Sequence, residues 1–274
     1  MPPLPYRALA LDMDGTLLDP SGRITEGSSR ALRDLVGRGV RIALATGRMT
    51  ALALPFIRDL GLPLDLIAYN GAEVREWRNG DWPRILSRTL SDRTRDAVFD
   101  LCRRHGHFLN VYSGDLLHGY HPAGDYRHSL HYETQTLAVY ASKADRLESL
   151  PKRDIQKLLV IETPEGRDRL HREWAPQLVS HCQVIKSNPE YLEFVSLGTS
   201  KASALSFWLE RNGIEARELL AFGDAENDLE MLRLAGLGIA MANATPGLKA
   251  AFSRVSTWTH AEEGVARELR RIFS

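Results

Sequence analysis

Two aspartates that are two residues apart, Asp12 and Asp14, follow directly on a short apolar segment near the start of the chain. In an extended segment such side chains point the same way, so the two carboxylates can converge on one point. Neighbouring acids repel each other unless a cation lies between them or one of them is protonated. Mg²⁺ suits such a pair, because it combines a few carboxylates with water and phosphate oxygens. The alternative is an acidic turn between a strand and a loop that has no chemical role.

Three further segments carry groups that would complete a site for phosphoryl transfer. They offer a hydroxyl, cations and more carboxylates at the expected end of a strand or start of a helix: Thr46 with Gly47 and Arg48, Lys201, and Asp224 with Asn227 and Asp228. Taken singly, these segments are typical of a helix N-cap, a solvated lysine and an acidic first turn of a helix. Taken together with the two aspartates, they supply a nucleophile, an acid or base and charge neutralisation, which phosphoryl transfer requires.

The elements predicted around these segments explain how they would meet. Apolar runs predict strands at 6–11, 40–45, 64–69 and 218–222, and apolar residues at helical spacing predict helices at 28–37, 50–60 and 200–212. Strands that alternate with helices indicate an α/β fold with a parallel sheet covered on both faces. Such sheets bind ligands at the carboxyl ends of their strands, so all of these groups would lie at one edge.

The middle of the chain follows a different pattern. From about Trp82 to Lys186 it is richer in His, Arg and Tyr, and Ser113-Gly114-Asp115 separates two strand candidates as in a β-hairpin. Helix and strand candidates mix here in an α+β order. We therefore expect a discontinuous catalytic core, residues 1–81 and 187–274, interrupted by an inserted domain, residues 82–186.

The composition excludes several classes of protein. Of the 274 residues, 43% are hydrophobic, which is enough for a core and excludes general disorder. Lys and Arg number 35 and Asp and Glu number 35, which argues against a broad polyanion binder, so we expect no nucleic-acid partner. The chain has no apolar run of about 20 residues and no signal-peptide pattern, and Cys102 and Cys182 show neither disulfide nor zinc spacing. We therefore expect a cytoplasmic protein with no membrane partner.

Four motifs, in order along nearly the whole chain, resemble those of the haloacid dehalogenase (HAD) superfamily of phosphotransferases. They are DMDGTLL from Asp12, ATGR from Ala45, the lysine of SKASAL from Ser200, and GDAENDLEML from Gly223. Tyr69-Asn70-Gly71-Ala72 is similar to a step of the Cof-type branch (subfamily IIB), and the long insertion resembles the large α/β cap of C2 type in that branch. The resemblance implies a Rossmann-like HAD core and a cap that selects the substrate. Ala202 and Ala242 stand where the family often has glycine.

The resemblance also implies a mechanism. Asp12 would attack phosphorus and form an aspartyl-phosphate, while Asp14 would protonate the leaving alcohol and then activate water. Mg²⁺ would bind the Asp12 carboxylate, the Asp14 backbone carbonyl and Asp224, with Asp228 as a further carboxylate of the metal site. The groups implied to hold the phosphoryl oxygens are Thr46, Gly47, Arg48 and Lys201. Asn227 would contact the substrate or, with Asp228, position the waters of the metal, Lys201 or the phosphate.

The expected function is hydrolysis of a small phosphorylated metabolite, with a sugar phosphate first and nucleotides or pyridoxal phosphate also open. A phosphomutase of the same superfamily, which returns the phosphoryl group to a sugar, is one alternative. A receiver-like regulatory protein that carries a long-lived phospho-Asp is another. Tyr112, Tyr120, Tyr126 and Arg127 are candidates for contacts with a sugar or a ring. Nothing in these patterns separates a monomer from a homo-oligomer.

Overall fold

The computed structural model describes residues 5–124, 127–136 and 138–273, and Tyr126 lies outside these residues. The chain separates into two compact units. The first comprises Met1–Arg48, Ala53–Leu86 and Ser200–Ser274, and the second comprises Met49–Leu52 and Ser87–Thr199. In the described ranges, no helix combines the length and the apolar character needed to cross a membrane.

The elements are numbered in chain order. The strands are β1 (Ala8–Leu11), β2 (Arg41–Ala45), β3 (Asp65–Ala68), β4 (Glu73–Arg75), β5 (Arg84–Ser87), β6 (Leu109–Ser113), β7 (Leu116–Tyr120), β8 (Tyr140–Ala144), β9 (Ile155–Ile161), β10 (Gln183–Asn188), β11 (Tyr191–Val195), β12 (Leu219–Gly223) and β13 (Leu237–Ala240). The α-helices are α1 (Glu26–Gly37), α2 (Thr50–Leu60), α3 (Asp92–His105), α4 (Arg127–Thr136), α5 (Pro164–Leu178), α6 (Lys201–Arg211), α7 (Leu229–Leu234), α8 (Pro246–Ala251) and α9 (Gly264–Phe273). Short helical turns follow β1 at Met13–Leu17, β3 at Tyr69–Gly71 and β12 at Glu226–Asp228.

The sheet of the first unit has the order β13-β12-β1-β2-β3-β4-β5. Its first five members pair in parallel, and β4 runs antiparallel to β3. Strand β1 lies between β12 and β2, with Leu9 opposite both Leu220 and Ile42, and the whole strand is buried. A strand buried on both faces requires a continuous apolar run, which is why β1 shows no polar alternation. The predicted α/β fold with a parallel sheet is confirmed.

Helix α6 carries Lys201 at its first position because of a reciprocal cap. Ser200 Oγ accepts the N–H of Ser203 at 3.1 Å, and Ser203 Oγ accepts the N–H of Ser200 at 3.0 Å. This pair satisfies two N–H groups that the helix itself leaves without partners. Further along the helix, Trp208 is fully buried in the core that the helix forms with the sheet. The cap and the buried face together fix where α6 begins and therefore where Lys201 lies.

The sheet of the second unit has the order β10-β11-β9-β6-β7-β8. Neighbouring strands of this sheet pair antiparallel, except that β7 and β8 pair in parallel. Strands β6 and β7 form the predicted hairpin. Helices α3 and α5 cover one face, in a core that includes Trp174 and Phe194.

The second unit differs in its limits from the expected insertion at 82–186. Strand β11 pairs with β9, so the unit continues to Thr199. Strand β5 belongs instead to the first sheet, and the unit resumes only at Ser87.

Candidate active site

The carboxyl ends of β1, β2 and β12 lie side by side because these strands are parallel neighbours. Asp12 continues the pairing of β1, since its N–H donates to the Phe222 carbonyl at 3.0 Å, and the N–H of Thr46 pairs with β3 in the same way. After β1 the chain turns at Gly15, whose φ is +76° and where a Cβ would lie 2.3 Å from Asp224 Oδ2. Glycine therefore allows the Asp12 and Asp224 segments to approach each other.

Asp12, Asp224 and Asp228 form one cluster around Lys201. Each carboxylate offers an oxygen within 4.8 Å of the others. Lys201 is buried, and its Nζ donates to Asp12 Oδ1 at 2.5 Å and to Asp228 Oδ1 at 2.6 Å. Burial by itself would lower the pKa of Lys201, but the charges of Asp12 and Asp228 outweigh it and raise that pKa above its ordinary value. Lys201 therefore keeps its positive charge.

Negative charge is in excess in this cluster, because three carboxylates face one ammonium group. Burial raises the pKa of Asp12 well above its ordinary value; Lys201 opposes this, and Asp228 and Asp224 add to it. Burial and Asp228 also raise the pKa of Asp224, against a hydrogen bond from Thr16 Oγ1 at 3.1 Å. Oxygen ligands with surplus negative charge are the donor set that Mg²⁺ prefers. The cluster is compatible with the cation expected from the sequence.

Asp228 is engaged through both carboxylate oxygens. Its Oδ1 accepts from Lys201, and its Oδ2 accepts the backbone N–H groups of Asp224 and Ala225 at 2.9 and 3.1 Å. The sequence suggested two roles for Asp228, as a carboxylate of the metal site and as a positioning residue. These hydrogen bonds favour the second role, because they hold the loop that carries Asp224.

Asp14 and Arg48 form a separate ion pair. The Asp14 side chain is 56% exposed and does not belong to the cluster of three carboxylates. Arg48 binds it through Nε to Oδ2 at 2.8 Å and through Nη2 to Oδ1 at 2.5 Å. The same guanidinium lies over the ring of Phe56, 5.2 Å from its centre. Arg48, which the resemblance placed among the groups that hold phosphoryl oxygens, thus contacts the predicted acid.

The remaining predicted residues surround Asn70. Thr46 is buried, and its Oγ1 accepts the N–H of Arg48 at 3.1 Å. Asn227 Nδ2 donates to Asn70 Oδ1 at 3.0 Å. Gly47 lies beside the same amide, since a Cβ there would be 3.1 Å from Asn70 Oδ1. Asn70 was not predicted as a site residue, and its only signal was its place in the family-like step at 69–72.

Asn243 is a second residue that the sequence analysis missed. Its Nδ2 donates to the Gly15 carbonyl at 2.8 Å, and its Oδ1 accepts the N–H of His260 at 2.9 Å. Asn243 thus holds the turn that follows the two aspartates of the first motif. Its neighbour Ala242, which stands where the family often has glycine, was the only sign of this segment in the sequence.

The chain is similar to known proteins over nearly its whole length. The sequence profile of the haloacid dehalogenase-like hydrolases matches residues 9–269. The Arabidopsis thaliana protein named endoribonuclease YBEY, chloroplastic, is 30% identical over 276 residues, which cover 95% of this chain but only 45% of that protein. The HMP-PP phosphatase of Serratia proteamaculans (strain 568) is 30% identical over 266 residues, which cover 94% of this chain and 92% of that protein. The crystal structure of TM0651 from Thermotoga maritima is 31% identical with a TM-score of 0.86, and the match covers 98% of each chain.

Proposed function

The chain belongs to the haloacid dehalogenase-like hydrolase family and is a phosphatase of that family, and from this we propose that it hydrolyses phosphomonoesters with Asp12 as the nucleophile. The observation that carries the proposal is the pair of hydrogen bonds from Lys201 to Asp12 and Asp228. They hold a carboxylate at the carboxyl end of β1, beside a charged cation that can attract an anionic phosphate. The surplus carboxylates of the cluster add a place for a second cation.

In the proposed reaction, the Asp12 carboxylate attacks phosphorus, the bond between phosphorus and the leaving oxygen breaks, and an aspartyl-phosphate forms. Asp14 gives a proton to the leaving oxygen. Water then attacks phosphorus while Asp14 takes up its proton, and the bond to Asp12 breaks to release inorganic phosphate. Lys201 balances the negative charge on Asp12 and on the oxygens of the transferring phosphoryl group. The Thr46 hydroxyl and the N–H of Gly47 would donate hydrogen bonds to the same oxygens.

We propose Mg²⁺ as the cofactor, held by the carboxylates of Asp12 and Asp224 and by the backbone carbonyl of Asp14. When bound, it supplies positive charge that offsets the repulsion between the Asp12 carboxylate and the phosphate. Asp228 supports this site through its hydrogen bonds to the Asp224 loop.

We propose a small phosphorylated metabolite as the substrate, with sugar phosphates first among the candidates. This substrate class rests on the resemblance of the four motifs. A panel of phosphomonoesters that tests it should also include nucleotides and pyridoxal phosphate. Release of inorganic phosphate without a bisphosphate activator would exclude the phosphomutase alternative. We also propose a cytoplasmic location, which the free buried thiols of Cys102 and Cys182 support.

The test of the function is the variant Asp12→Asn. With Mg²⁺ and p-nitrophenyl phosphate, we expect it to lose phosphate release by about 1,000-fold or more, because an amide cannot replace the nucleophile. Rapid acid quenching with a ³²P-labelled substrate should trap a phosphoenzyme in the wild type and none in the variant. Asp59→Asn is the control, since Asp59 is exposed on α2. Full activity of Asp12→Asn would overturn the assignment of the nucleophile.

A further inference from the structure

The turn at Tyr69–Gly71, directly after β3, has an unusual backbone. Tyr69 and Asn70 have φ values of +51° and +53°, and Gly71 has a φ of +99°. Positive φ is rare in residues other than glycine and costs free energy, most of all for a bulky side chain such as that of Tyr69. The whole turn is buried. Such a conformation persists only where its surroundings hold it in place.

Asn70 connects two segments of the site. Its backbone N–H donates to the Thr46 carbonyl at 2.9 Å, and the N–H of Tyr69 donates to the Arg48 carbonyl, also at 2.9 Å. The Asn70 side chain reaches the loop after β12, where its Oδ1 accepts from Asn227 Nδ2 at 3.0 Å. A single buried residue thus ties the segment after β2 to the segment after β12.

Gly71 brings the same turn against a third segment. A Cβ on Gly71 would lie 2.2 Å from the Ser200 carbonyl oxygen, so only glycine fits here. Ser200 is the N-cap of α6 and directly precedes Lys201. The turn therefore touches the segments of three of the four motifs, although it supplies none of the charged groups.

From these contacts we propose that Asn70 is a positioning residue: it holds Asn227 in a fixed place relative to Thr46, so that both can meet oxygens of the same phosphoryl group. The inference rests on the proposed function of this site. The positive φ of Asn70 is part of the arrangement, because φ and ψ set the direction in which the Cβ and the amide leave the backbone. Errors of about 1 Å in such positions lower rates by about 100-fold.

The chain offers a matched pair of variants for the test. Asn70→Gly keeps a residue that tolerates positive φ and removes the amide. Asn79→Gly makes the same change at another asparagine with positive φ, 51°, which lies in an exposed turn of the first unit. The pair separates the effect of the Asn70 amide from the effect of placing glycine at a positive φ.

Steady-state kinetics with p-nitrophenyl phosphate and Mg²⁺ give the first readout. We expect kcat of Asn70→Gly to fall by about 10- to 100-fold, with KM changed by less than about threefold, because the group acts on the reacting geometry. Asn79→Gly should keep both constants, and Asn227→Ala should lower kcat as Asn70→Gly does. The double variant of Asn70 and Asn227 should be no slower than the slower single variant, because both changes remove one hydrogen bond. Wild-type kcat in Asn70→Gly, or losses that multiply in the double variant, would overturn the proposal.

Hydrogen exchange gives a second readout that needs no activity. The backbone N–H groups of Asp224 and Ala225, bonded to Asp228, should exchange about tenfold faster in Asn70→Gly than in the wild type, because the loop loses its tie through Asn227. Asn79→Gly should leave their exchange unchanged. Unchanged exchange in Asn70→Gly would refute the positioning role even in a protein that releases no phosphate. Absence of phosphatase activity in the wild type would refute the proposed function instead.

Discussion

At the scale of single residues, the pair of Asp14 and Arg48 bears most directly on the chemistry. Two charge-assisted hydrogen bonds fix the direction of the Asp14 carboxylate, and the stacking on Phe56 fixes the guanidinium in turn. A planar guanidinium can bind both carboxylate oxygens at once, whereas a lysine ammonium acts as a point charge. Arg48 is therefore expected to orient the proposed acid and not only to add positive charge.

Arg48→Lys is expected to impair catalysis in a way that depends on the leaving group. An alkyl phosphate needs a proton on its leaving oxygen far more than p-nitrophenyl phosphate does, so a misplaced acid should harm the first substrate more. We expect kcat/KM for a sugar phosphate to fall about tenfold further than kcat/KM for p-nitrophenyl phosphate. Initial-rate measurements with both substrates, alongside Asp14→Asn as the reference for loss of the acid, check this.

Arg58→Lys serves as the control for this variant, because Arg58 stacks on Trp82 and is exposed on the same helix as Phe56. It should leave both rates unchanged. An equal loss for both substrates in Arg48→Lys would contradict the orienting role and would agree with the contact to phosphoryl oxygens that the resemblance implied.

At the scale of elements, the N-terminus of α6 has a catalytic consequence. The reciprocal cap of Ser200 and Ser203 fixes the first turn, and that turn carries Lys201 into the carboxylate cluster. An N-cap usually contributes only to the stability of its helix. Here, fraying of the first turn would also displace the cation that pairs with Asp12.

Ser200→Ala is expected to lower both stability and activity. Loss of an N-cap costs about 1 kcal/mol of unfolding free energy, and we expect kcat to fall about 3- to 10-fold because Lys201 loses its fixed position. Thr25→Ala removes the same kind of cap from α1, where Thr25 accepts the N–H of Ser28 at 3.2 Å, and should lower stability alone. Urea unfolding and kcat of the two variants test this. An equal kcat in the two variants would show that the cap of α6 contributes only to stability.

Elements with a strong apolar pattern could be predicted from the sequence. The continuous apolar runs of β1, β2 and β12 and the apolar stripe of α6 correspond to predicted elements within a few residues. Helix α4 was missed because its sequence, RHSLHYETQT, offers little apolar periodicity. Tyr132 of that helix is buried, and its hydroxyl pairs with the hydroxyl of Tyr112 at 2.6 Å, a contact that no local pattern reveals.

Within the site, too, some features could be predicted from the sequence and others could not. The sequence predicted that Asp12, Asp14, Asp224, Asp228 and Lys201 would meet, since each follows a strand or begins a helix at one sheet edge. In the structure the Asp14 side chain does not join the cluster of the other carboxylates and pairs with Arg48. It did not predict the pairing of Arg48 with Asp14, nor Asn70 as the partner of Asn227, because the predicted strands place residues at one sheet edge but do not show which side chains pair there. The positive φ of Asn70 was equally hidden, since asparagine only tolerates that conformation and does not demand it.

At the scale of the whole molecule, each unit contains a hydrophobic core of its own. The core of the first unit includes Trp208, and that of the second includes Trp174. The proposed metal ligands all belong to the first unit. A protein with separate cores can unfold in separate steps, and a ligand stabilises only the part that binds it.

We expect calorimetry to resolve two unfolding transitions and Mg²⁺ to raise the Tm of one of them. At about 100 times its Kd, a ligand adds about 2.7 kcal/mol to the unit that binds it. Asp224→Asn should abolish the shift, whereas Asp168→Asn, on α5 of the second unit, should preserve it. Trp174→Leu should lower the Tm of the other transition. A single transition that Mg²⁺ shifts as a whole would contradict the separation.

The position of β1 between β2 and β12 has a consequence for synthesis on the ribosome. Strand β2 emerges soon after β1, but β12 follows about 200 residues later, after the whole of residues 87–199. At a synthesis rate of about 5 to 20 residues per second, the edge of β1 that pairs with β12 stays unpaired for about 10 to 40 seconds. During that time Asp12 has neither Lys201 nor Asp224 beside it. The growing chain therefore carries an open apolar strand edge, which favours association with other chains, until β12 has been made.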